Sequence, residues 1–210
     1  MNKIILAIVG LPGAGKNEVT EYLMKKMNWP KVYFGDVTFD EMKKVGLEIN
    51  ETNERKTREE IRARLGMGSY AILSIPKIKE LYEESSVIVE SLYSWEEYLE
   101  MKKEFGDVFK VLATFSSPEI RTERLKNRPH RPLTKEEMIS RDYAQIENLH
   151  QAGPIARADF MIVNEGTIES LHEHKSSFKC FSLFIFSHLF LSISGKKVSA
   201  SGNSASTCVI

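Results

Sequence analysis

An unbroken apolar run, Ile4 to Val9, leads straight into Gly10-Leu11-Pro12-Gly13-Ala14-Gly15-Lys16-Asn17. Helical spacing follows in Glu18-Val19-Thr20-Glu21-Tyr22-Leu23. Strand, glycine loop and helix, in that order, form the setting that a phosphate-binding loop requires. The glycines let the backbone turn so that successive N–H groups converge on phosphate oxygens, and the helix adds the positive end of its dipole. Lys16 is then placed to reach the β and γ phosphates. A plain Gly-Pro turn joining a core strand to a helix is the competing reading, and the strand-to-helix placement at the start of the chain argues against it. Gly10, Pro12, Gly13, Ala14, Gly15, Lys16, Asn17 and Glu18 are the expected nucleotide-binding residues. Position 17 departs from the usual pattern, in which a Ser or Thr hydroxyl ligates Mg²⁺; here the amide oxygen of Asn17 is the candidate ligand.

With 210 residues, the chain is long enough for one α/β domain with a substantial core. Four lysines and no acid lie beyond position 174, so the preceding body carries 25 basic and 29 acidic side chains. A mildly acidic body argues against a nucleic-acid binder, which shows a basic face. Both cysteines, Cys180 and Cys208, fall in the tail, so the body has neither a disulfide framework nor a cysteine metal site. The N-terminal segment reads as a strand rather than a signal peptide, and a cytoplasmic protein is expected.

After the first helix, Val32-Tyr33-Phe34 makes a short strand ending at Gly35-Asp36. A carboxylate just past the carboxyl end of a parallel strand faces the ligand crevice, which makes Asp36 a candidate base or positioning group. It is equally a candidate N-cap for the helical segment Val37 to Val45. Residues 50–83 read as helical, with a break near Leu65-Gly66-Met67-Gly68, and Arg55, Arg58 and Arg62 share one helical face. Those arginines either form a solvated, salt-bridged surface or grip a phosphate or carboxylate of an acceptor substrate. Ser86-Val87-Ile88-Val89 is a third strand ending in Glu90, placed to organise Mg²⁺. A helix from Trp95 to Phe105 and a strand from Val108 to Phe115 follow. The helix opened by Pro118 gives way to Asn127-Arg128-Pro129-His130-Arg131-Pro132, which two prolines keep irregular. Thr134-Lys135-Glu136-Glu137 has capping-box spacing and opens a helix through Leu149. Asp159 to Asn164 is the fifth strand, and a short helix through His172 comes after Glu165-Gly166-Thr167. Five alternations of strand and helix predict a parallel sheet with helices on both faces.

These features together resemble the nucleoside-monophosphate-kinase-like branch of P-loop proteins, related to dephospho-CoA kinase and adenylate kinase. Within it, residues 1–174 resemble an uncharacterised archaeal and bacterial family often labelled AAA family ATPase. The resemblance is carried by Gly10 to Lys16, Tyr33-Phe34-Gly35-Asp36-Val37, Arg62 with Leu65-Gly66, Ser140-Arg141-Asp142-Tyr143, and Ala158 to Gly166. It implies a P-loop three-layer fold, a five-stranded sheet ordered 2-3-1-4-5, with Asn164, Gly166 and Thr167 beside the adenine of ATP. It also implies an acceptor arm over about residues 50–83, with Asp36, Arg58 and Arg62 toward the acceptor. A lid over about residues 121–135 would close Arg124, Arg128 and Arg131 onto the transferring phosphoryl group. Archaeal relatives tend to carry Asp-Gly-x-Arg after the third strand, where this chain has Glu90-Ser91-Leu92-Tyr93, and the Asp-Ala-Asp signature of dephospho-CoA kinases is absent.

The resulting expectation is a kinase that uses ATP and Mg²⁺, the metal held by Asn17 and Glu90, to phosphorylate a small molecule such as a nucleotide or a dephospho-CoA-like acceptor. No nucleic-acid or membrane partner is expected, and the protein would be a monomer or dimer. The rival from another class is a nucleotide-binding switch without a small-molecule acceptor; an arginine-rich lid and an acceptor arm favour the kinase. From Lys175 onward the chain is apolar but studded with Ser, Lys and His, then Ser- and Gly-rich. It is too short and too polar for a membrane span, and Cys208 is misplaced for prenylation. The tail, 175–210, is expected to lie outside the fold.

Overall fold

The computed structural model describes residues 3–129 and 131–166. Thr167, the short helix expected through His172, and the tail lie outside the described residues. Five strands, β1 (Ile5–Val9), β2 (Lys31–Tyr33), β3 (Val87–Glu90), β4 (Phe109–Phe115) and β5 (Phe160–Val163), pair in parallel in the order β2-β3-β1-β4-β5. β1 is central: Ile5 lies opposite Val87 on one side and Phe109 on the other.

The apolar runs of β1, β3 and β4 follow from this placement, because each strand is buried on both faces. Ile5, Ala7 and Val9 join Val87, Val89, Val111 and Ala113 in a core against α4 (Ser69–Glu84) and α5 (Trp95–Phe105), which contribute Tyr70, Ile78, Tyr98 and Met101. Leu6 and Ile8 point the other way and meet Val19 and Leu23 of α1 (Lys16–Met27), with Ile88, Leu112 and Ile162. Helices therefore cover both sides of the sheet, as the alternation predicts.

The remaining helices are α2 (Asp36–Lys44), α3 (Glu51–Leu65), α6 (Pro118–Lys126), α7 (Lys135–Glu147) and α8 (Ala152–Ala156). Asn50 caps α3 by accepting from the Asn53 amide at 2.9 Å, and the expected break before α4 is Gly66, at φ 79°. Pro118 starts α6, where a missing N–H costs nothing. The Thr134–Glu137 capping box forms as the spacing predicts. α2 corrects one alternative: it begins at Asp36 itself, with Gly35 as the N-cap, so Asp36 belongs to the first turn and does not cap. α8 is unforeseen, because Gly153-Pro154 has the look of a break and the helix is only five residues long. Among the described residues no helix is long and apolar enough to cross a membrane.

Candidate active site

The loop between β1 and α1 takes its shape from three glycines in left-handed or open backbone conformations, Gly10 (φ 146°), Gly13 (φ 80°) and Gly15 (φ 91°). Space forbids a side chain at each of them as firmly as φ does. A Cβ at Gly10 would collide with the Thr114 carbonyl, and one at Gly15 with the Asn164 amide. At Gly13 it would press on Arg121 and Leu125 at 3.0–3.1 Å. Side chains more than a hundred positions further along the chain then take up the loop's carbonyls. Gln151 Nε2 donates to Gly10 at 3.1 Å, Arg121 Nη1 to Pro12 at 3.1 Å, and Asn164 Nδ2 to Ala14 at 3.1 Å. A trans peptide that gives its carbonyl to one side presents its N–H to the other, so these bonds help turn the loop amides toward the cavity.

That cavity measures about 690 Å³. Pro12, Gly13, Gly15, Lys16, Asn17 and Glu18 line it together with three cationic side chains, Arg124, Arg128 and Arg141, and Arg124 also donates to the Gly13 carbonyl at 3.4 Å. Tyr93, Leu125, Gln145, Asn164 and Gly166 complete the lining. Lys16 Nζ donates to the Gly10 carbonyl at 2.8 Å and to that of Leu11 at 3.2 Å. Burial pushes its pKa down to about 8; the negative charge of Glu90 opposes that shift, and Arg121 adds to it. A partly desolvated ammonium among carbonyl dipoles is strongly drawn to any anion that enters.

The arginines of the 121–131 stretch divide into separate roles. Arg121, 3% exposed, forms a bidentate pair with Asp142 of α7 at 2.9 and 2.6 Å and also donates to Ser116, so it is a buried strut. Arg124 reaches the cavity while donating to Ser116 Oγ at 2.9 Å, Asn164 Oδ1 at 3.3 Å and the Gly166 carbonyl at 2.7 Å. Arg128 lines the cavity, its Nε on the Arg131 carbonyl at 2.5 Å. Arg131 is exposed and outside the lining. The irregular part of the expected lid is thus confined to the residues between α6 and α7. Asn164 is buried behind the glycine loop with both ends of its amide engaged, one on Ala14 and one on Arg124.

Beyond Tyr93 stand the carboxyl ends of β2 and β3. Glu90 Oε2 forms an ion pair with Lys31 at 2.5 Å, and its charge is felt at Lys16. Burial, then the neighbouring Asp40 carboxylate, raises the pKa of Asp36 above the ordinary range. Ser91, at φ 69°, donates to the Tyr93 hydroxyl at 3.1 Å. A non-glycine residue in that conformation marks a place where the surroundings override backbone preference. On α3 the shared arginine face splits. Arg55 is exposed and pairs with Glu59, while Arg58 pairs with Glu54 at 3.3 Å. Arg62 turns inward over the Tyr70 ring at 5.4 Å, with its Nε buried and without a hydrogen-bond partner.

The residues present fit a nucleotide with a divalent cation. The cavity has the volume of a cofactor site, and its floor is a glycine cradle that any Cβ would fill. Asn17 lines the cavity and offers a hard oxygen donor of the kind Mg²⁺ takes, whereas Glu90, expected to share the ion, is outside the lining and paired with Lys31. Among the described residues no group of three or more His, Cys, Asp or Glu could hold a metal ion, so phosphate and water would have to supply the other ligands. Tyr93, Arg141 and Gln145 were not singled out as site residues from the sequence. Arg141 and Gln145 stand one turn apart on α7, a legible spacing, but which face α7 turns to the cavity depends on Asp142 meeting Arg121.

The AAA domain family matches residues 6–146. A UPF0200 protein of Pyrococcus abyssi is 36% identical over 170 residues, covering 79% of this chain and 90% of that one. Among solved structures, TT1252 from Thermus thermophilus has a TM-score of 0.57 at 18% identity, covering 86% of this chain and 98% of its own. A shikimate kinase from Bacteroides thetaiotaomicron has a TM-score of 0.52 at 14% identity, covering 84% and 98%. At those identities the likeness is one of fold.

Proposed function

The chain belongs to the AAA-domain family and to the UPF0200 proteins, and on that premise we propose that it is an ATP-dependent phosphotransferase acting on a small molecule. The observation that carries this reading is one cavity lined both by the Lys16 cradle and by Arg124, Arg128 and Arg141. Several cations gathered around a phosphate chain stabilise charge that develops in phosphoryl transfer, which slow hydrolysis in a switch does not demand. ATP, when bound, would supply the phosphoryl group; Asn17, with Glu90 as the carboxylate expected to organise the ion, would hold the Mg²⁺ that neutralises its charge. The relation to dephospho-CoA kinase and adenylate kinase belongs to this proposal, as does the division into an acceptor arm and a lid.

Asp36 is assigned to the acceptor hydroxyl. It lies at the carboxyl end of β2, with a pKa raised by burial and Asp40, which makes it a better proton acceptor than a free aspartate. Arg58 and Arg62 are assigned to an anionic group on the acceptor, and the unpartnered Nε of Arg62 supports that role. The test is γ-phosphoryl transfer from labelled ATP across a panel of nucleotides, dephospho-CoA and small alcohols, with wild type and Asp36→Asn. Because Asp36 does not cap α2, Asn should fold normally and bind ATP normally. Transfer should fall by about 10²–10⁴ while background hydrolysis falls far less. Equal loss of both activities would assign Asp36 to Mg²⁺ or water. A wild type that transfers to no acceptor would favour the switch.

A further inference from the structure

Two of the described helices begin with a Ser/Thr-x-x-Glu capping box, and the two boxes are built differently. Thr134 and Glu137 sit in solvent at the head of α7, where such a box needs nothing more. Ser94 and Glu97, at the head of α5, are 0% and 1% exposed. Glu97 Oε2 accepts from the Tyr93 amide at 2.7 Å and the Ser94 amide at 2.9 Å. Ser94 Oγ accepts from the Glu97 amide at 3.0 Å and donates to the Met67 carbonyl at 3.0 Å, in the turn between α3 and α4. Gly68 of that turn packs so closely on α5 that a Cβ would meet Glu100 at 3.1 Å.

The buried box therefore touches two working parts at once. One side holds the turn on which α3 and its arginines are hung. The other side holds the backbone of Tyr93, whose side chain is a wall of the nucleotide cavity. The charged groups that act on Glu97 are Arg62 from α3 and Glu96 beside it on α5; Glu97 in turn acts on Tyr70 of α4 and on Tyr93, and Glu96 is itself paired with His150 at 3.5 Å. Arg62 is the cation of this group, and its Nε has no hydrogen-bond partner.

A glutamine would accept the same two amide hydrogen bonds without bringing a charge into the interior. A carboxylate in this place costs stability, and Arg62 is the cation that acts on it. We propose that Glu97 is a positioning residue: its carboxylate fixes the Tyr93 and Ser94 amides, Ser94 in turn holds the α3–α4 turn through the Met67 carbonyl, and the carboxylate charge steadies Arg62 on that arm. The proposal rests on the kinase reading for what the arm binds, and its test requires no acceptor.

Glu97 titrates within reach of experiment, since burial, opposed by the two amides and Arg62, pushes its pKa up to about 7. The folded state thus binds the proton more tightly than the unfolded chain, and stability falls as pH rises from about 4.5 to about 7. Glu97→Gln removes that loss. The variant should melt at least as high as wild type at pH 8, by roughly 3 °C or more, with a smaller gap at pH 5.5. At pH 8, amide exchange over residues 58–68 should nevertheless be about tenfold faster than in wild type. Wild-type protection of that stretch, corrected for intrinsic rates, should rise between pH 6 and 8, whereas that of the variant should stay flat. A lower melting temperature with unchanged arm exchange would reduce Glu97 to a helix cap and overturn the proposal, as would unchanged exchange alone. If Glu97→Gln does not fold, Arg62→Gln leaves the box intact and must loosen the same stretch; intact protection there refutes the idea. A chain that transfers phosphate to nothing would refute the kinase reading and leave this result standing.

Discussion

Lys16 shows at the scale of one residue how a site works against the fold that holds it. Its folded pKa of about 8 lies below the ordinary 10.5, so the unfolded chain holds the proton more tightly between those values. Stability therefore rises with pH across that window, and at pH 7 the fold bears the whole cost, on the order of 3 kcal/mol. Lys16→Met should relieve it. The Gly10 carbonyl keeps Gln151, and the Leu11 carbonyl keeps the Ala14 amide at 3.2 Å, so no acceptor is left bare. Urea unfolding at pH 7 should show a variant at least as stable as wild type, with ATP turnover abolished; turnover that persists would sink the phosphate-loop reading. The glycines and Lys16 were legible in sequence because their spacing is local. Gln151 was not, because nothing around it marks a glutamine that reaches 141 positions back to Gly10. Glu97 lay between: the Ser-x-x-Glu spacing is plain, but burial is a property of what packs above it.

At the scale of elements, the stretch from α6 to α7 is the instructive one. Sequence grouped Arg121 with the lid arginines because four arginines crowd into eleven positions. Helix α6 separates them by direction, and Arg121 faces inward to Asp142 while Arg124 and Arg128 face the cavity. The prolines marked the irregular segment correctly, although Pro76 inside α4 shows that a single proline does not by itself end a helix; how far α6 ran before it was a matter of packing against the glycine loop. Asp142→Asn leaves the Arg121 guanidinium buried with its charge uncompensated, a change that typically costs about 3–5 kcal/mol. Denaturant unfolding should register a loss of that size. A loss under about 1 kcal/mol would mean that the Pro12 and Ser116 carbonyls alone satisfy Arg121.

For the molecule as a whole, the sheet order was the most legible property, because strand–helix alternation with right-handed crossovers leaves few arrangements. The contacts that close the active-site loop were the least legible. Thr114 packs on Gly10, Arg121 binds Pro12, Gln151 binds Gly10 and Asn164 binds Ala14, all across more than a hundred residues of chain. The most recognisable motif in the sequence is thus synthesised well before the side chains that complete it. A chain still being translated carries the signature before the side chains that brace it, and should bind nucleotide weakly until they are made. A protein ended at Leu149 lacks both Gln151 and Asn164 and should bind a fluorescent ATP analogue at least tenfold more weakly than one spanning 1–174, a loss of about 1.4 kcal/mol or more. Equal affinity would mean that the cradle forms from local sequence alone. Otherwise, nucleotide binding reports that synthesis has passed the fifth strand.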